Sequence, residues 1–371
     1  MKNVVVLVPE GIFLEYFVYS IAQPYEAIRS SADKSTGNIK PLWSGKIRFR
    51  GAGASNEGIR RLIERYEPQT VAIRVMYGGE EFKGPVVYDH SVIRRLERLV
   101  SESPLHIPIV VKLLKTLEII VPVPDIILFF ETAFFANLPL QERTYAVNSD
   151  LIEESSFGEA RRFGYHGLFH QAVADKMRSR GENSHKIISI CLEPVPEVVA
   201  IYNGKPVMVS SGSTPLEGLP GNTTCGDIDP GIVLFLEEKA KRGPEFIDEI
   251  LTRKSGISAM AGIPITIEQV LENRETYKEA SDLFEYRVLT ECGSAIAIMN
   301  GIDSVVFSGK YVRSGEKLSE TLIPKLARAT NRKDSPEIHF LHDSVEDIIF
   351  KLAVQCELRT NFLPRSLPSF A

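Results

Sequence analysis

Twenty residues, Ser211–Pro230 (SGSTPLEGLPGNTTCGDIDP), constrain the architecture more than any other stretch of this 371-residue chain. They hold three prolines, four glycines and two aspartates. A segment so rich in turn formers cannot continue as a regular helix or strand. It follows a strand-like run, Gly204–Ser210, and leads into a helix-like run, Gly231–Lys241. A long loop set between apolar segments usually carries a function. The chain length leaves room for two domains, each with its own core.

Composition excludes some classes. The chain is 44% hydrophobic and 25% charged, as ordinary globular proteins are. A net charge of -5 argues against a nucleic-acid partner. No run of about eighteen apolar residues occurs, so no membrane span is expected. The opening MKNVVVLVPEG reads as a strand rather than a secretory leader. The four cysteines, Cys191, Cys225, Cys292 and Cys356, are scattered without metal-ligand spacing. They suggest a reducing, cytoplasmic setting with no disulfide framework.

The pattern along the chain predicts alternating strands and helices, hence α/β layers. Strands are expected at Asn3–Val8, Phe13–Ile21, Lys46–Arg50, Thr70–Met76 and Asp125–Phe130. Helical spacing marks Asn56–Tyr66, where Ile59, Leu62, Ile63 and Tyr66 share one side, and also Ser91–Ser101 and Ile107–Glu118. Glu131–Pro139 is expected as a loop. A helix should begin near Gly167. Lys186–Leu192 and Val198–Tyr202 read as a hairpin, with Pro206–Ser210 as a third strand. Phe284–Met299 reads as a long helix with small residues in its second half. Asp303–Ser308 is expected as a buried strand and Val345–Val354 as a last helix. Both halves thus show three strands and then a helix.

TPLEGL (Thr214–Leu219) and GDIDP (Gly226–Pro230) resemble the central loop of acetate kinases and their acetokinase relatives. Four further stretches carry the same resemblance: RVMYGG (Arg74–Gly79), PLHIP (Pro104–Pro108), FETAFFANLP (Phe130–Pro139) and RRFGYHGLFH (Arg161–His170). The resemblance implies two α/β domains of the actin-like, sugar-kinase type (a ribonuclease H-like fold) with an interdomain cleft. The expected domains are residues 1–150, joined by the closing helix at about 346–371, and residues 151–345. It also implies phosphoryl transfer between ATP and a small carboxylate of the acetate or propionate kind, with Mg²⁺, in a homodimer to which Phe284–Met299 contributes. Such chemistry needs cations around the phosphoryl group, an acidic group for the metal and an apolar slot.

Carried over residue by residue, the resemblance assigns Arg74 to carboxylate or phosphoryl oxygens, which suit a guanidinium fork. Glu131 stands where the family has its catalytic aspartate, keeping the charge but one methylene longer, and would serve as the catalytic carboxylate and a metal ligand. His166 would hydrogen-bond the phosphoryl group. Met76, Leu105, Tyr165 and Pro215 would line the acyl slot. Glu346 (or Val345) falls at the C-terminal metal-binding glutamate. Arg74, Glu131 and His166 are expected to converge in the cleft.

Other positions depart from the family. The asparagine, serines and lysine after its first strand are replaced by Pro9–Tyr16 (PEGIFLEY). Its phosphate-cradling HLGNG loop is Cys191-Leu192-Glu193-Pro194-Val195. Proline lacks an N–H, and Glu193 would repel an anion. The second phosphoryl arginine is Thr224, the adenosine pair is Thr266 and Glu268, and the nucleotide loop is Gly309–Gly315. Two functions therefore stay open. One is an acetate kinase-type phosphotransferase with ATP and Mg²⁺. The other is a catalytically degenerate protein that binds a small carboxylate, acyl phosphate or phosphate without nucleotide turnover. A bare scaffold is a third reading. His166 and His170 stand four apart, but a zinc site lacks its third ligand, so a structural His170 is expected. Asp227 and Asp229 are expected to shape the loop.

Overall fold

The structure, a computed structural model, describes residues 2–21, 40–49, 54–103, 105–120, 124–148, 150, 160–180, 185–330 and 335–360. Expectations falling on Arg50, Pro104, residues 157–159 and residues 361–371 lie outside these. The chain divides into two units, Met1–Ala133 with Asp343–Ala371, and Phe134–His342.

The first unit is built on a sheet of six strands: β1 (Lys2–Glu10), β2 (Phe13–Ile21), β3 (Trp43–Arg48), β4 (Thr70–Val75), β5 (Val86–Val87) and β6 (Asp125–Phe130). Their spatial order is β3-β2-β1-β4-β6-β5. The first three form an antiparallel meander, and β4 and β6 add in parallel to β1. Val4–Leu7 are fully buried. A central strand covered on both faces must be apolar throughout, which explains the unbroken VVVL run. Helix Val345–Thr360 packs on β1 and β4. Its Phe350 stacks on Tyr19 with ring centroids 4.2 Å apart.

The second unit repeats the plan. Its strands are β7 (Lys186–Cys191), β8 (Glu197–Tyr202), β9 (Lys205–Val209), β10 (Ser304–Ser308) and β11 (Glu337–Phe340), in the order β11-β10-β7-β8-β9. Again an antiparallel meander, β7-β8-β9, is extended by parallel strands on the side of its first member. Helix Lys278–Met299 covers the meander. Ala280, Phe284, Val288, Cys292, Ala295 and Met299 form its buried stripe. Repeats of three to four residues place these side chains on one face.

Most expected elements are present, with shifted ends. Helix Ile107–Glu118 and strand Asp125–Phe130 have the expected bounds. β3 begins at Trp43 rather than Lys46, and the long helix begins at Lys278 rather than Phe284. The extra turns at Lys278 bury only the small Ala280 and Ser281, which give little apolar signal. Glu131–Asn137, expected as a loop, is a 3₁₀ helix. Its single turns leave no long period to read in sequence. Ser211–Asp229 contains neither helix nor strand. Asp227 Oδ1 accepts from Gly218 N at 2.7 Å, and Asp229 caps helix Pro230–Ala240 through Gly231 N at 2.7 Å. Both aspartates therefore shape backbone. Among the described residues, no helix is long and apolar enough to cross a membrane.

Candidate functional site

In the first unit, parallel pairing of β4 and β6 sets Arg74 opposite Phe129 and Val75 opposite Phe130. Glu131 follows at once, so both charged residues leave the same end of adjacent strands. In open α/β sheets that carboxyl end is where ligands bind. Arg74 Nε donates to Glu131 Oε1 at 2.5 Å, and the Glu131 side chain is 0% exposed against 14% for Arg74. Thr132 Oγ1 accepts from Gly78 N at 2.9 Å and fixes the 3₁₀ turn against the double glycine.

The apolar positions of this unit differ among themselves. Met76 is half-buried, whereas Leu105 is 81% exposed. Beside Leu105, His106 Nδ1 lies 3.2 Å from Ser103 Oγ. Burial, and then the charge of Arg74, hold His106 toward its neutral form. His106 was not among the residues singled out in sequence, although it belongs to the PLHIP stretch. Glu346 stands in the first turn of helix Val345–Thr360. Burial, then the neighbouring carboxylates of Asp347 and Glu15, push its carboxyl up. Among the described residues, no three His, Cys, Asp or Glu form a group that could hold a metal ion.

In the second unit, His166 precedes helix Gly167–Ser179. His166 Nε2 lies 2.8 Å from the carbonyl oxygen of Val195. A carbonyl only accepts, so Nε2 carries the proton and donates. Its Nδ1 is buried and meets no hydrogen-bond partner among the described residues. In its neutral form the ring presents an acceptor at Nδ1. Tyr165 is buried, and its hydroxyl donates to the Ser213 carbonyl, two residues before the half-buried Pro215. The structure thus joins Arg74 to Glu131 in one unit, and Tyr165 and His166 to the proline-rich segment and the β7–β8 loop in the other.

Glu197, which opens β8, escaped the sequence reading. It is fully buried. Oε2 accepts from Tyr165 N at 2.9 Å, and Oε1 accepts from His166 N at 3.2 Å. His170 Nε2 lies 3.1 Å from the same Oε1. Burial opposes the Glu197 charge, but the bond and charge of His170 outweigh it, with help from His166 and Ser211. The carboxyl is brought down to about 2. On its other side His170 Nδ1 lies 2.8 Å from Ser189 Oγ. Serine, histidine and glutamate in this order have the connectivity of a hydrolytic triad. All three are 0% exposed, so no substrate reaches the serine, and the set is a buried scaffold behind His166.

Three successive residues of the β7–β8 loop accept hydrogen bonds. Glu193 Oε1 accepts from Lys310 N at 2.7 Å. The Pro194 carbonyl accepts from Asn222 N at 2.7 Å, and the Val195 carbonyl takes His166. Thr224 hydrogen-bonds Gly221 N through Oγ1 at 3.1 Å, within its own turn. Thr266 caps helix Ile267–Glu272 by accepting from Gln269 N.

The profile of the Acetokinase family matches residues 59–335. The acetate kinase of Clostridium botulinum (strain Okra / Type B1) is 32% identical over 249 residues, 65% of this chain and 62% of that protein. The acetate kinase of Thermosipho africanus is 34% identical over 250 residues, 65% of this chain and 61% of that protein. The match spans about three-fifths of the length of these relatives. The crystal structure of Porphyromonas gingivalis acetate kinase superposes with a TM-score of 0.77 at 22% identity, covering 96% of this chain and 100% of that one. A propionate kinase from Francisella tularensis gives 0.78 at 20% identity, covering 95% and 98%. These two likenesses establish the two-domain actin-like α/β fold. β1, β2, β3 and the closing helix fall outside the profile match, as do Pro9–Tyr16. From the profile match and the curated relatives, the chain belongs to the acetokinase family.

Proposed function

We propose that this chain is a catalytically degenerate acetokinase-family protein that binds a small carboxylate, acyl phosphate or phosphate without turning over nucleotide. The observation that carries the proposal is the Arg74–Glu131 pair. In the position of the family's catalytic aspartate stands a fully buried carboxylate committed to a guanidinium at 2.5 Å. A divalent cation seeking Glu131 would have to displace that guanidinium, which breaks a buried ion pair at a cost of about 3–5 kcal/mol. Burial, and then the like charges of Asp347 and Glu15, favour the protonated, non-ligating form of Glu346. The residues present therefore fit Mg²⁺ and ATP poorly. Arg74 is the ligand contact of this reading: it carries a permanent charge on a fork matched to carboxylate and phosphate.

Family membership favours a second reading, a working carboxylate kinase using Arg74, Glu131 and His166 with ATP and Mg²⁺. Calorimetric titration with acetate, propionate, acetyl phosphate, inorganic phosphate and Mg-ATP separates the two. Under the first reading small anions bind, Mg-ATP does not, and Arg74→Ala weakens the anions at least about tenfold. Low-micromolar Mg-ATP binding, about -8 kcal/mol, together with transfer to acetate or propionate, would sink it.

A further inference from the structure

We propose that Glu193 is a built-in anion: its carboxylate fills the place of a phosphate on the loop after β10 and thereby excludes phosphate groups from it. The inference deepens the reading above and rests on it in one respect, the assignment of these two loops to phosphate and nucleotide. The geometry is local. Parallel pairing sets Ser308 opposite Cys191, so the loops leaving β10 and β7 emerge side by side. Leu192 N donates to the Ser308 carbonyl at 2.8 Å, and Tyr311 N donates to the Leu192 carbonyl at 2.8 Å. Between them Gly309 adopts φ +91, and a Cβ there would lie 2.7 Å from the Leu192 carbonyl oxygen. Only glycine allows so close an approach.

This closure aims the Lys310 N–H at the neighbouring loop, and Glu193 Oε1 accepts it at 2.7 Å. Backbone N–H groups in a turn that leads from a strand end into a helix are the usual anion site of α/β folds. Helix Ser314–Thr330 follows this turn. Here the anion belongs to the chain. Glu193 is half-buried, so an incoming phosphate can approach but meets a fixed negative charge already bonded to the donor. The next residue, Pro194, offers no N–H to replace what Glu193 has taken, and its carbonyl is bound to Asn222 N.

The test observes the Lys310 amide by nitrogen-15 NMR while inorganic tripolyphosphate is added to the full chain, to Glu193→Gly and to the near-isosteric Glu193→Gln. In the unaltered chain the Lys310 signal should stay in place. In both variants it should move saturably, with apparent affinity at least about tenfold higher than in the unaltered chain. Circular dichroism checks that each variant is folded, and Glu193→Gln decides the matter if Glu193→Gly is not. The proposal is overturned if Lys310 responds equally in the unaltered chain, or stays unmoved in the folded variants. Nucleotide turnover by the unaltered chain would overturn the non-catalytic reading while leaving the Lys310 result to stand or fall alone.

Discussion

Replacing Glu197 by glutamine tests the buried scaffold behind His166. The carboxylate receives Tyr165 N at 2.9 Å and His166 N at 3.2 Å, and holds His170 Nε2 at 3.1 Å. Glutamine keeps one acceptor oxygen, but its amide NH₂ then faces a donor. One buried donor left unmet costs about 1–3 kcal/mol. Losing the charge opposite His170 brings the total to about 3 kcal/mol, the low end for breaking a buried pair. At a denaturant sensitivity near 3 kcal/mol per molar urea, the midpoint falls by about 1 M. Trp43, the sole tryptophan, lies on β3 in the other unit. Circular dichroism should therefore show an early phase that Trp43 emission does not. The pH dependence has a definite sign. Glu197 titrates below its ordinary value of 4.5, at about 2. Its contribution is present above pH 4.5 and lost as pH falls toward 2, so the deficit of the variant narrows over that interval. Superimposable urea curves at pH 7 would refute the reasoning.

Glu291 behaves oppositely. Burial, then Asp227, with Glu142 adding and Arg162 opposing, push its carboxyl from 4.5 up to about 7. A raised acid favours the folded state while protonated, and that advantage is lost as pH rises through 7. Glu291→Gln should be about 2 kcal/mol more stable than the unaltered chain at pH 8 and no more stable at pH 4, after discounting for partial exposure; equal melting at pH 8 would refute this. A homodimer is expected through the second unit, where Ile232, Leu234, Phe235 and Tyr286 are 49%, 67%, 56% and 64% exposed. Light scattering should report twice 41.4 kDa, and Phe235→Glu should shift it toward the monomer; a monomer at micromolar concentration contradicts the dimer.

The fold was legible wherever burial imposes a pattern on neighbouring residues. The fully buried run Val4–Leu7 and the apolar periodicity of Ile107–Glu118 follow from covering both faces of a strand and one face of a helix. The 3₁₀ helix Glu131–Asn137 leaves no such trace. Within the candidate site, Arg74 and Glu131 could be singled out because each adjoins a recognisable strand. Their mutual bond could not, because the register of β4 on β6 is set by residues some fifty positions apart. Glu197 was missed for a similar reason. A single charge opening the strand EVVAIY resembles an ordinary strand-edge residue. Its burial becomes visible only when helix Gly167–Ser179 brings His170 onto β7.

Three glutamates, at 131, 193 and 197, give the two units a common chemical character. A phosphoryl-transfer site keeps donors preorganised toward the place where ligand charge develops, and leaves that place to the ligand. Here Glu131 takes Arg74, Glu193 takes the Lys310 N–H, and Glu197 takes the backbone of Tyr165 and His166. Each carboxylate satisfies a donor and adds a negative charge beside it. Such an arrangement needs no bound anion, because its own carboxylates already meet these donors. Under the proposed reading, the half-buried Glu193 is expected to disfavour the triphosphate of a nucleotide more than a singly charged carboxylate, since repulsion grows with the ligand's charge. Under the proposed non-catalytic reading, the calorimetric titration should rank a small monoanion before phosphate and phosphate before Mg-ATP, and the opposite order would refute that reading.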